Sequence, residues 1–142
     1  MEYGMTRIIN TANPGKLRHR ARRTIAEVLR HLMRKKPTDP EAKDMAACVV
    51  FALRDIAATV DTTVEAWENR DYYLKADRFR LEWEWASKQA SQLERLIRQG
   101  RWSDVSQELA RLATRFGDIR IARTTRPAST WLGSYERLIG ES

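Results

Sequence analysis

Lys16, Arg18, Arg20, Arg22, Arg23, Arg30, Arg34, Lys35 and Lys36 fall in one 21-residue stretch whose only acid is Glu27. The stretch carries +8 while the whole chain carries +7, so the excess positive charge belongs to one element. Guanidinium and ammonium groups at this density suit phosphate oxygens. A cationic helix on a near-neutral body is the electrostatic footprint of a polyanion binder. Like charges at i,i+4, as in Arg18/Arg22 and Arg30/Arg34, each cost about 0.2–0.5 kcal/mol. A segment that accepts several such pairs is expected to meet an anion. A second cluster, Arg115, Arg120, Arg123 and Arg126, is opposed only by Asp118. If its helix lies beside the first, the two clusters merge, and His19, His31, Thr124 and Thr125 would add phosphate contacts.

Other chemistry finds less support. His19 and His31 are twelve positions apart, roughly 120° around a helix, and would not share a metal. No Cys-x-x-Cys, His-x-x-x-His, di-iron Glu-x-x-His or glycine-rich phosphate loop occurs. Asp77 and Glu84 share a helix face at the spacing of a metal pair. Lys75, Arg78 and Arg80 are interleaved with them, which reads as a salt-bridged surface. No catalytic residue, metal or cofactor is expected. Cys48 sits in the apolar run Ala46–Val50, so it reads as a buried structural thiol, and a lone cysteine allows no intrachain disulfide. With no apolar leader-like start and no ~18-residue apolar window, a cytoplasmic location is expected. Met5 is an alternative start, and residues 1–12 are expected to form a flexible segment ahead of one domain, 13–142.

The elements that position these residues are helical. Asn13-Pro14 and Asp39-Pro40 are helix starts, because each pairs a capping side chain with a proline preset for the first turn. Leu17, Ala21, Ile25, Val28, Leu29, Leu32 and Met33 form the apolar stripe of helix 1. Met45, Val49, Leu53, Ile56, Val60, Val64 and Trp67 form that of helix 2. In helix 3, Tyr72, Ala76, Phe79, Trp83, Ala86, Ala90, Leu93 and Ile97 step alternately by four and three, a seam for long helix packing. Gly100 stops it. Val105, Leu109, Leu112 and Phe116 line helix 4, with Ile119 and Ala122 continuing the pattern. The spacing predicts helices near 14–35, 40–68, 72–99 and 104–122. Short loops between them make an all-α, antiparallel up-down four-helix bundle, with a short C-terminal helical appendage near Ser129–Leu138.

Five tryptophans are present. Trp67 and Trp83 lie on core stripes. Trp85 is roughly 200° around from Trp83 and aligns with Leu74, Leu81 and Leu96. Helix 3 is therefore expected to be covered on a second face, by the C-terminal segment around Trp131, Leu132 and Tyr135 or by another subunit. Leu74, Leu81, Trp85 and Trp131 are the candidate interface residues.

The long heptad helices, Lys75-Ala76-Asp77 opening a charged and aromatic helix, and Trp131-Leu132-Gly133 together resemble the four-helix-bundle accessory variability determinant proteins of diversity-generating retroelements. The likeness covers roughly residues 40–138. It implies a ring-like homo-oligomer that binds a reverse transcriptase and meets nucleic acid through a basic surface. The arginine-dense helix 1 and the tryptophan content depart from that pattern. Small helical subunits of RNA-guided effector complexes match the same size and charge. The reading is a non-catalytic accessory subunit that contacts the backbone of DNA or RNA within a larger nucleoprotein complex. Its rival is an adaptor bundle that docks an acidic protein.

Overall fold

The computed structural model describes residues 13–141. The expectations for residues 1–12, including the choice of start, lie outside the described residues. The elements are α1 (Pro14–Leu32), α2 (Pro40–Glu68), α3 (Tyr73–Trp83), α4 (Trp85–Arg98), α5 (Trp102–Ala113) and α6 (Ser134–Ile139). Single 3₁₀ turns lie at Thr114–Phe116 and Ala128–Thr130. No strand occurs among the described residues.

Both proline starts act as the sequence indicates. The Asn13 side chain accepts from the Lys16 N–H at 3.1 Å, and the Asp39 side chain accepts from the Glu41 N–H at 2.8 Å. The central helix is α2: α1, α3, α4 and α6 all pack on it. Met45, Val49, Val50, Leu53 and Ile56 are fully buried within it. A helix apolar around most of its circumference needs neighbours on most sides. Neighbours run antiparallel: Arg18 reaches Thr59 while Lys35 pairs with Glu41, and Arg80 pairs with Glu68 while Arg54 pairs with Glu94.

Helix 3 of the sequence reading is two helices. The chain turns at Glu84, where the Lys88 N–H reaches the Glu84 carbonyl at a long 3.4 Å. Trp83 and Trp85 flank the break, where Glu84 keeps near-helical dihedrals of φ −62° and ψ −20°. On a regular helix they would point roughly 200° apart, yet their rings stack with centroids 5.9 Å apart. Ala76, Ala86, Ala90 and Leu93 are buried as expected, whereas Phe79 and Trp83 are only half-buried. The first helix stops at Leu32, and Met33, expected on its apolar stripe, is 80% exposed.

The helix expected over 104–122 ends at Ala113, followed by one 3₁₀ turn. Residues 117–127 then run without regular structure along α1. The appendage is a 3₁₀ turn and a short helix hinged at Gly133, whose φ of 86° favours glycine. Two acids of α2 hold it. Asp44 accepts from the Gly133 and Tyr135 N–H groups at 3.1 and 2.9 Å, and Glu41 accepts from Trp131 Nε1 at 2.8 Å.

Leu93 is fully buried, while Leu81 is 67% exposed. Leu93→Ala is expected to cost about 2–5 kcal/mol, and Leu81→Ala within about 0.5 kcal/mol. Urea unfolding at low micromolar protein measures both, and equal losses would contradict this packing.

Candidate nucleic-acid interface

The basic residues of α1 divide between two faces. Lys16, Arg20, Arg23, Glu27 and Arg30 step by four and three along one side, within a sector of roughly 80°, and Arg34 follows in the turn just after α1. The opposite side carries the buried Ala21, Ile25, Val28 and Leu29. Arg18 and Arg22 point to that inner side. The Arg18 guanidinium sits 4.9 Å from the Phe79 ring centre and 5.3 Å from that of Trp83, and it donates to Thr59 at 3.3 Å. Burial pulls its pKa below the ordinary arginine value, against the opposing pull of Glu82. Arg22 lies 5.4 Å from the Phe116 ring centre and forks onto Asp118 at 2.8 and 3.2 Å.

Glu27 is the fixed point of the outer face. It is fully buried although it belongs to the solvent-facing row. Residues 117–127 cross over it as a strap. Glu27 accepts from the Thr125 N–H at 2.7 Å, the Arg126 N–H at 3.1 Å and the Thr125 hydroxyl at 3.3 Å, and it pairs with the Arg126 guanidinium. Arg126 Nε also donates to the Thr24 hydroxyl at 2.8 Å. Burial alone would raise the pKa of Glu27. The two backbone N–H groups and the charge of Arg126 outweigh it and hold the carboxyl below its ordinary value. The Arg30 guanidinium, bonded to the Ile121 carbonyl, and Arg22 on Asp118 pin the strap further along.

The strap splits the basic face into two open clefts. One, of about 610 Å³, is lined by Asn13, Gly15, Lys16, His19, Arg20, Arg23 and Arg126. The other, of about 250 Å³, is lined by Arg30, His31, Arg34, Ala122, Arg123 and Thr124. Their centres are about 18 Å apart along α1, at 1.5 Å per residue. Lys16, Arg20, Arg23, Arg34 and Arg123 have no carboxylate partner among the described residues. His31 Nε2 is buried without a hydrogen-bond partner among them, and the ring packs 5.2 Å from Trp131.

The two sequence clusters therefore do meet, through an irregular strap. Not every cation in them is available. Arg18 is packed inside, Arg126 belongs to Glu27, Lys35 is held by Glu41 at 3.0 Å, and Arg115 covers the Trp85 ring at 4.4 Å. Lys36 and Arg120 are exposed outside the two clefts. The candidate interface residues separate as well. Trp85 is covered by Phe116 and Arg115, while Trp131 is buried against His31 and Glu41 on another part of the molecule. Leu74 and Leu81 stay 65% and 67% exposed, so the C-terminal segment does not cover that stripe. Asp77 and Glu84 are engaged by Arg80 at 2.7 Å and Lys88 at 3.3 Å. Among the described residues no three His, Cys, Asp or Glu side chains gather as metal ligands. Burial pushes the Cys48 thiol up to about 11. Sequence reasoning missed Glu27, Glu41 and Asp44. The one available signal was an acid isolated in a basic run.

A carboxyl whose folded pKa lies below its unfolded value contributes stability that is complete above the unfolded value, about 4.3. That contribution is lost as pH falls through the folded value. Stability should therefore drop steeply below about pH 5. Glu27→Gln is expected to cost about 3 kcal/mol at neutral pH and to flatten that acid limb. Urea midpoints from pH 7 to pH 3 test this, and parallel curves for the two proteins would exclude the role given to Glu27. Comparison with known protein families, curated proteins and solved structures gives no match to this chain.

Proposed function

We propose that this protein is a non-catalytic nucleic-acid-binding subunit that grips the phosphate backbone with the outer face of α1. One observation carries the reading. The outer row Lys16, Arg20, Arg23, Arg30 and Arg34 opens into two clefts, and the only acid in that row is buried and neutralised by Arg126. The ionised side chains that line both clefts are all lysines and arginines, a pattern that draws polyanions. No Phe, Tyr or Trp side chain lines either cleft, and each holds one histidine, His19 or His31, so the contacts expected are to phosphates, with little base readout. The helices form an up-down-up-down bundle in this reading, with α3 and α4 as one broken arm. The setting is a cytoplasmic nucleoprotein complex such as a reverse-transcriptase or RNA-guided effector assembly. No helix among the described residues is long and apolar enough to cross a membrane.

Four to six phosphate contacts give a slope of log K against log salt of about −3 to −5. Replacing Arg20, Arg23 and Arg34 by Glu together should weaken DNA or RNA binding at least tenfold on many sequences alike. Replacing Arg95 and Arg111 by Glu alters charge on α4 and α5 and should leave affinity within about threefold. Fluorescence anisotropy with single- and double-stranded oligonucleotides from ~50 to ~200 mM salt measures these effects. A wild type that binds none of them at the low-salt end would transfer the same face to an acidic protein partner.

A further inference from the structure

From the exposed side of α3 we infer that a second copy of this chain docks there, with the two α3 helices parallel and in register. Four of the largest exposed apolar side chains cluster around this short helix: Tyr72 and Tyr73 at 52% and 57%, and Leu74 and Leu81 at 65% and 67% exposure. The opposite side of α3 is the one seated on α2, through the buried Ala76 and half-buried Phe79. Leu74 and Leu81 are seven positions apart, so they form a line along the solvent side. Nothing among the described residues packs over that line.

The charges beside the line select the partner. Asp77 and Arg78 lie between the two leucines, roughly 50° to either side of them. Asp77 keeps 59% of its side chain exposed while bound to Arg80, and Arg78 is exposed with no carboxylate partner among the described residues. A two-fold axis parallel to the helix brings Leu74 onto Leu74 and Leu81 onto Leu81. The same operation carries the Asp77 flank of one copy to the Arg78 flank of the other, on both sides. An antiparallel pair centred on the same residues would set Arg78 against Arg78 and Asp77 against Asp77. At Asp77 and Arg78 the face is thus complementary to itself in the parallel orientation, as an isologous contact requires.

The area is small. An 11-residue helix is about 16 Å long, so the contact falls below the roughly 1,600 Å² of a standard stable interface. The dimer is therefore expected in the tens of micromolar, monomeric at 1 µM. This inference does not depend on nucleic-acid binding.

Sedimentation equilibrium between ~1 and ~300 µM tests it. The wild type should pass from 16.6 kDa toward twice that mass. Asp77→Arg and Arg78→Asp should each weaken association at least tenfold, because each sets like charges face to face. The double exchange should restore it to within about threefold. Leu81→Cys alone should form a disulfide-linked dimer on mild oxidation, because equivalent residues meet on the axis; Cys48 is buried. Circular dichroism verifies that each variant remains helical. A wild type still monomeric at 300 µM overturns the inference. So does a dimer indifferent to both single exchanges, or one the double exchange fails to restore.

Discussion

The candidate interface depends on a carboxylate kept away from water. Glu27 lies midway along the outer row of α1, where a solvated acid would cancel part of the field. Burying it unpaired would cost many kcal/mol. Two backbone N–H groups, one hydroxyl and one guanidinium from residues 125 and 126 supply the partners that make the burial tolerable. They exist only if the chain crosses α1 at that height. The path of the strap over α1 and the division into two clefts follow. Replacing such a buried pair by apolar side chains is often neutral or stabilising, so its contribution here is placement more than strength.

The same economy recurs at the other end of the chain. Asp44 takes the Gly133 and Tyr135 N–H groups, and Glu41 takes Trp131. Hydrogen bonding from Trp131 and Lys35 holds Glu41 below its ordinary pKa. Acids on the first two helices thus hold the irregular parts of the second half, 117–135. Helices satisfy most of their own backbone groups, and irregular segments must find partners elsewhere. A chain with long helices and two irregular stretches has few other places to find them.

This division explains what could be read from the sequence. The start of α1 and both ends of α2 follow from capping residues and an uninterrupted apolar stripe, which are local signals. The break at Glu84 was hidden because the seam through Ala76, Ala86, Ala90 and Leu93 continues across it in perfect step. The stacking of Trp83 on Trp85, with Trp85 against Phe116, accompanies the break and has no counterpart in the spacing. Ile119 and Ala122 keep helical spacing, so the first half of the strap, to 122, reads as helix although it is irregular. The donors beyond it go to a carboxylate ninety-eight positions earlier, and no sequence window contains both. Charge implies that the two basic clusters merge only if the second lies beside α1, and it lies there as an irregular strap. Helical phase sets Arg18 and Arg22 on the apolar side, but their partners there, Phe79, Trp83, Phe116 and Asp118, come from distant parts of the chain and were not legible.

Magnitudes then sort the cations. Removing Arg126 from Glu27 would leave a buried charge unpaired, at about 3–5 kcal/mol. A single phosphate contact in water does not offset that, so Arg126 stays structural even beside a bound polyanion. Arg22 differs, since Asp118 is largely exposed and a pair of that kind contributes about 0–1 kcal/mol. Its direction, toward Phe116, is what withholds it from the outer face. Arg18 is withheld by both direction and packing. What remains is a row whose cations bear no structural duty among the described residues, apart from the contact of Arg30 with the Ile121 carbonyl. Neutralising that row with phosphate removes like-charge repulsion along α1 without breaking a buried contact. Binding and stability should therefore rise together, because the ligand relieves the strain that the helix carries when free.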